Sequence, residues 1–441
     1  MRELYINNFT TYAATNGWLR VFGWASLFTY TFFWLISSSI AKPGETLFIV
    51  FFISSLFQPK NKETNYLFYM ALPIAFIVIQ IITHYHLLQN YPELAENHLR
   101  NGRHYFKVFL CILVAYWLKG SIRGTKSIIA LAVTGFMISL LFNSELNQWL
   151  SGLSGNRVGF NYVNTQHTAV FFGLSFIAAL FWTLGNISNK KYFSMILSLV
   201  ACVIFLVGTV ITQTRAVWLA VFISIILATT FFIFINFKKK SDDKQYNKKI
   251  LIAVPLILFV ASLPLKPIID KRMSAESHTI SSLLKGDFEK ISLGSVGIRA
   301  TMWLYALEKI KERPLTGWGP ETRKVLLKSD ALPKQISGKF DHFHNSYLDI
   351  LVAYGVLGFI VIMLLTLQCV RGCFSLIRKG EVYLGIGLLS AWCFFGVVNI
   401  FESYITFSTA RFFYMIVGGI SLTHLLYKDS NHKRRLPLTI K

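Results

Sequence analysis

Long apolar stretches alternate with short polar breaks along this chain, and one polar stretch of about 80 residues interrupts the series late in the sequence. A helix needs about 20 mostly apolar residues to cross about 30 Å of hydrocarbon. On that measure the pattern predicts twelve spans, at 18–38, 44–58, 66–83, 103–118, 126–142, 166–185, 192–212, 216–237, 249–265, 346–368, 382–399 and 404–426. The run at 44–58 is the shortest, bounded by Pro43 and Pro59. The expected fold class is therefore an all-α polytopic membrane protein with about twelve transmembrane helices.

Composition agrees with the pattern. The 441 residues are 54% hydrophobic and only 15% charged, whereas soluble domains carry about 25% charge. A chain this long and this apolar cannot hide its surface in water, which excludes a disordered protein, a disulfide scaffold and an ordinary soluble enzyme. Cys111, Cys202, Cys369, Cys373 and Cys393 all lie inside apolar runs and form no disulfide framework or metal motif. Residues 1–17 are polar, and no small-residue cleavage site follows the first apolar run, so that run is expected to stay as the first membrane helix.

The net charge of +23 gains meaning from its placement. Numbering the breaks from a cytoplasmic N-terminus puts 22 Lys and Arg on the inner side, among them the run KKKSDDKQYNKK at 238–249 and the tail 428–441. The short outer breaks hold five: Lys42, Arg100, Arg103, Arg157 and Arg215. The positive-inside rule then predicts both termini in the cytoplasm. The basic run is a topology signal first and a contact for membrane lipids second; no nucleic-acid partner is expected.

The polar stretch at 266–345 then falls outside the cell membrane's inner face, in the periplasm. Loops longer than about 12–15 residues are usually functional or disordered, and this one carries helix and turn signals. Residues 298–312 place Met302, Trp303, Ala306, Leu307 and Ile310 on one face, ending at Arg313-Pro314 and a Gly317-Trp318-Gly319 turn. The plain reading of this helix is one lying at the membrane interface. The organisation predicted is membrane helices over 1–265, a periplasmic loop over 266–345, further membrane helices over 346–427, and a basic cytoplasmic tail over 428–441.

Ionisable residues near membrane depth are costly and default to functional candidates. Arg215, in TQTRAVWLAV, sits at the outer junction of two spans; it either snorkels to lipid phosphate or binds an anion. Arg299 opens the amphipathic helix, where a guanidinium beside free N–H groups suits a phosphate. Arg411, inside the last span, reads as structural, reaching the interface or pairing with Glu402. The stretch DHFHNSYLDILVAYGVLGF at 341–359 holds His342 and His344 just before a membrane helix. An imidazole there can accept a proton from a hydroxyl, or it is a plain interfacial histidine. As zinc ligands the pair would need a third group, with Asp341 or Asp349 nearest in sequence, and no HExxH pattern is present. No metal is expected.

His344-Asn345, nine residues, then Gly355-Val356-Leu357-Gly358 resembles the signature of the O-antigen ligase family, within the O-antigen ligase/polymerase superfamily of bacterial membrane glycosyltransferases. ERPLTGWGPET at 312–322, TQTRAVWLA and GNRVGFNYVNTQHTA at 155–169 are similar to further blocks of that family, in the same order. The resemblance implies an inverting glycosyltransferase of the inner membrane, active without cofactor or metal, that completes lipopolysaccharide. Its donor would be O-antigen on undecaprenyl pyrophosphate and its acceptor a sugar hydroxyl of lipid A-core. By the same resemblance Arg215 and Arg299 match the arginines that hold the donor pyrophosphate; a neutral His344 is then the expected catalytic base for the acceptor hydroxyl, with His342 the neighbour that could hold this role instead. His342, Arg157 and His167 are secondary candidates. A polymerase or a protein O-oligosaccharyltransferase would use the same donor; a lipid-linked glycan transporter is the reading from a different class.

Overall fold

The computed structural model describes residues 17–57, 66–95, 98–162, 164–237, 266–274, 294–320 and 322–427. The predicted span at 249–265 and the basic runs at 238–249 and 428–441 lie outside the described residues. Among those described there are helices and no strands, as hydrocarbon demands, since each backbone polar group must find its partner within its own segment.

The first helices are α1 (Gly17–Phe33), α2 (Ser38–Leu56) and α3 (Tyr66–Asn90). After them come α4 (His98–Phe106), α5 (Cys111–Leu118), α6 (Ile122–Asn143) and α7 (Leu146–Leu153). The middle of the chain forms α8 (Thr165–Ser188), α9 (Tyr192–Ile211), α10 (Arg215–Phe237) and α11 (Lys266–Ser274). The remainder is α12 (Ser295–Glu312), α13 (Thr322–Leu326), α14 (Ser346–Arg378), α15 (Val382–Phe401), α16 (Ser408–Phe413) and α17 (Gly419–Leu426). Among the described residues, nine helical segments are long and apolar enough to cross a membrane. The molecule is an all-α polytopic membrane protein.

Side-chain periodicity sorts these helices. In α9, Phe193, Ile196, Leu197, Val200 and Val203 are exposed at three- and four-residue spacing, while Cys202, Phe205 and Thr209 turn inward. That is the stripe of a helix with one face to lipid and one to protein. In α8 both sides are buried, from His167 to Asn186, so this helix runs through the centre of the bundle against α9 and α15.

Three predicted spans differ in form. The helix expected at 18–38 stops at Phe33; a turn follows and α2 starts at Ser38, so Pro43 lies inside α2 rather than before it. The 103–118 segment is not one helix: polar α4 leads through a 3-10 turn at Lys107–Leu110 into α5. Every residue of α5 is buried, so this short helix is held by protein and needs no lipid-spanning length. The last span begins at Ser408 and loosens into a π-turn at Tyr414–Gly418 between α16 and α17.

The junctions segregate to two ends. At one, Lys126 Nζ meets Glu381 Oε2 at 2.9 Å, Lys379 Nζ donates to Tyr427 O at 3.3 Å, and Gly120 N donates to Thr423 Oγ1 at 2.7 Å. At the other end, Gln213 Nε2 donates to Gly155 O at 2.9 Å, and Asn345 N donates to Ser403 Oγ at 3.1 Å. The large loop stands on this second end.

That loop has its own small core. Met302, Tyr305, Ala306, Trp318, Leu327, Leu332, Ile336 and Phe343 pack against Val352 of α14. The buried face of α12 therefore includes Tyr305 but not Leu307, which is 46% exposed. Packing on α14, rather than lying flat on lipid, selects this face.

The helix α14 is broken near its start. Gly355 has φ +61 and ψ −165, a conformation that L side chains rarely adopt. The backbone groups released by the break are taken up by the 314–319 segment. Trp318 N and Gly319 N donate to Val352 O and Ala353 O at 2.7 and 2.8 Å; Val356 N and Leu357 N donate to Pro314 O and Leu315 O at 2.7 and 3.2 Å. Gly317, at φ +69, permits the approach, since a Cβ there would lie 2.6 Å from Tyr354 N. The pair of motifs that stood about 35 residues apart in sequence is thus one backbone-to-backbone joint.

Candidate functional site

His342 and His344 stand on the turn that leads into α14. Asn345 caps that helix, its side chain accepting from Tyr347 N and Leu348 N at 3.0 and 3.2 Å. Asp349, in the first turn, accepts from Phe343 N at 3.2 Å, and Trp303 Nε1 donates to Phe343 O at 3.0 Å. Phe343 itself is sealed in the loop core. These contacts pin the residue between the two histidines from both sides. They also hold His344 at φ +50, an uncommon conformation for a non-glycine residue that the surrounding structure must impose.

The two imidazoles converge on one carboxylate. Glu402, 3% exposed, lies in the turn between α15 and α16. Its Oε1 accepts from His342 Nε2 at 2.9 Å and from His344 Nδ1 at 2.8 Å, and Oε2 lies 3.0 Å from His344 Nδ1. Ser403 N donates to the same Oε1 at 2.9 Å. On its far side, His342 Nδ1 donates to Asp341 Oδ1 at 2.6 Å. His344 Nε2 makes no hydrogen bond among the described residues.

The charges follow from these contacts. Burial works against a proton on His342, but the bonds to Asp341 and Glu402 outweigh it and raise its pKa to about 9. The Asp341 carboxyl is held at about 2, first by its bond to His342. Burial would push Glu402 up, yet the bonds from His342 and His344 prevail and keep it well below the usual carboxylate range. At neutral pH the group is a charged imidazolium between two carboxylates, with His344 anchored beside it.

Among the sequence candidates, Arg299 comes next to this group. Its Nε donates to Phe401 O, the residue before Glu402, at 3.2 Å, and its Nη1 donates to Ser295 O at 3.1 Å. His167 approaches through aromatic rings: its ring lies 4.8 Å from that of Phe407, which is 5.4 Å from that of His342. Its Nδ1 is 2.6 Å from Thr409 Oγ1. Arg157 donates from Nε to Thr212 O at 3.3 Å, which ties it to the turn just ahead of Arg215 at the start of α10. Arg157 and Arg299 both act electrostatically on the Tyr404 phenol. The six candidates occupy the same end of the molecule, with His342, His344 and Arg299 grouped around Glu402 and Arg157 and Arg215 on the neighbouring turn.

Two expectations are revised. The carboxylate that meets both histidines is Glu402, almost 60 residues later in sequence, while Asp341 reaches His342 alone and Asp349 reaches neither. Asp349 instead pairs with buried Arg323, whose Nη1 lies 3.3 Å away. Arg411 does not pair with Glu402; its Nη1 lies 2.5 Å from His104 Nδ1. The signal that could have pointed to Glu402 was present as an acid flanked by apolar runs at the end of a predicted span, though nothing in sequence linked it to the histidines.

A cavity of about 590 Å³ lies between α6, α8, α15 and α16. Its walls are mostly apolar, including Phe136, Phe181, Trp182 and Phe412. Thr409 sits on its wall and connects it to His167, while Lys126, Lys191 and Glu381 mark the opposite end. The histidine group itself does not line it.

Fold and site together define a polytopic membrane protein with a polar, charge-organised centre under an extramembrane loop. Residues 200–363 match the family described as O-Antigen ligase. The match contains Arg215, Arg299, His342, His344 and Gly355; Arg157, His167 and Glu402 fall outside it. An uncharacterized protein of Haemophilus influenzae is 29% identical over 193 residues, 42% of this chain and 45% of that protein. The chain thus covers less than half of that relative's length.

Proposed function

We propose that this protein transfers a glycan from undecaprenyl pyrophosphate to a sugar hydroxyl of lipid A-core, on the periplasmic side of the inner membrane and with inversion at the anomeric carbon. The observation that supports this most is the state of His344. Its Nδ1 is anchored to buried Glu402 while Nε2 is left clear, the arrangement a neutral general base requires.

In this reading Glu402 keeps the proton of His344 on Nδ1, so the Nε2 lone pair takes the proton of the acceptor hydroxyl. The acceptor oxygen bonds to the anomeric carbon from the face opposite the leaving group. The bond from that carbon to the phosphate oxygen breaks, and undecaprenyl pyrophosphate departs with the electron pair. Arg215 and Arg299 bind the pyrophosphate and stabilise the charge gathering on the bridging oxygen. Arg157 and His167 line the approaches, and the apolar cavity beneath Thr409 is suited to an isoprenoid or acyl chain. His342, charged between Asp341 and Glu402, keeps that carboxylate aimed at His344.

The test is in vitro transfer from undecaprenyl-pyrophosphate glycan to lipid A-core, with EDTA present. Wild type is expected to transfer and His344→Ala to lose transfer. Arg215→Ala and Arg299→Ala should each lose about 10²–10³ in rate, the usual effect of removing a transition-state donor. Lysine should rescue either poorly, because it lacks the bidentate fork. Longer lipid-linked glycan as the sole product would move the acceptor assignment to a polymerase, and a glycosylated pilin-type protein to a protein O-oligosaccharyltransferase. No covalent product from any acceptor would favour a transporter.

A further inference from the structure

The contacts among His342, His344 and Glu402 have a second chemical meaning. His342 Nε2, His344 Nδ1 and Glu402 Oε1 are separated pairwise by 3.2, 2.9 and 2.8 Å. Tetrahedral zinc binds nitrogen and oxygen at about 2.0–2.2 Å, which places neighbouring ligand atoms about 3.3 Å apart. The three donor atoms therefore need to spread by only a few tenths of an ångström to accept the ion, which would sit just above their plane with its fourth position open. Among the described residues this is the one group of three or more such side chains with ligand spacing.

The surroundings fit as well. A zinc-bound histidine usually donates its other ring N–H to a carboxylate that fixes its orientation. His342 Nδ1 already does so to Asp341 at 2.6 Å, leaving Nε2 facing inward. Glu402 is held in place by Ser403 N at 2.9 Å. Ring and carboxylate are thus preset without the ion.

We propose that His342, His344 and Glu402 form a zinc site and that zinc bound there switches transfer off. The inhibitory half rests on the function proposed above. Its chemistry follows from which nitrogen the ion takes. Zinc would occupy His344 Nδ1, so a neutral ring must carry its proton on Nε2. That is the atom whose lone pair accepts the hydroxyl proton in catalysis, and zinc also removes the carboxylate that sets the other tautomer. The ion exchanges one tautomer for the other and leaves no base.

The experiment uses the full-length protein in detergent, stripped with EDTA and titrated with Zn²⁺ by calorimetry and with Co²⁺ by visible absorption. Wild type is expected to bind one ion in a tetrahedral cobalt environment at this site. Glu402→Gln and His342→Ala should each weaken binding at least tenfold, with thermal unfolding compared to confirm that both variants fold. Wild type that binds no ion, or variants that bind as tightly as wild type, would overturn the site. In the transfer assay, zinc should inhibit wild type over the concentration range in which it binds. Full activity at saturating zinc, or stimulation by zinc, would overturn the inhibitory role. If the stripped protein transfers nothing while cobalt binding is intact, the reaction assigned above fails and the metal site stands.

Discussion

His342 and His344 are two residues apart and carry the same ring, yet their surroundings separate them. His342 has both nitrogens committed, to Asp341 and to Glu402; His344 has one committed and one clear. Sequence alone ranks His344 by its place in a motif and leaves His342 as a near neighbour. In the reading proposed above that difference favours His344 as the base, because an imidazolium whose two nitrogens both carry protons has no lone pair left to accept another. A pH dependence follows. The ordinary value for His342 is 6.5 and its folded value about 9, so the stabilisation from its charge is fully present below about 6.5 and lost as pH rises through about 9. Thermal unfolding of wild type should therefore fall to lower temperature across that interval. His342→Ala should show a smaller fall across the same interval. Equal falls in both proteins would mean that the imidazolium contributes no stability. Glu402 could not be joined to this pair from sequence, since its approach depends on how the α15–α16 turn folds back over the start of α14.

The elements were legible where apolar length alone decides them, as in α6, α8, α9, α10 and α15. They were less so where protein replaces lipid as the partner. Burial of all of α5 allows an eight-residue helix to stand where a full span was expected. The break at Gly355 was hidden for a related reason: its sequence, AYGVLG, is as apolar and helix-compatible as its neighbours, and only the opposing 314–319 backbone reveals it. Below the break, residues 356–378 would cover about 34 Å at 1.5 Å per residue, enough to span by themselves. Above it, the first turns of α14 belong to the loop and carry the cap for the histidine turn. Gly355→Ala would put a Cβ 2.3 Å from the Leu315 carbonyl group and force a side chain into positive φ. Positive φ is expected to cost at least about 1 kcal/mol, and the clash adds to it. The variant should unfold at lower temperature and lose transfer; unchanged stability and activity would show that the joint adapts freely.

At the scale of the whole molecule, polar chemistry gathers at one end and basic junctions at the other. The charge bias of the sequence predicts how these ends are oriented, loop outward and basic junctions inward. Single cysteines introduced at Ser329 and Gly380 test that orientation in intact cells with an impermeant maleimide, against a background with the native cysteines replaced. Ser329 should label from outside and Gly380 only after the inner membrane is opened; the reverse pattern would invert the topology. The joint at Gly355 also has a consequence in time. Residues 314–319 leave the ribosome before Gly355 does, so the backbone that fills the gap has already emerged when the interrupted helix enters the bilayer. Had the order been opposite, bare amide and carbonyl groups would have to wait in hydrocarbon for a partner not yet synthesised. The order of motifs along the chain is thus also a schedule for assembly.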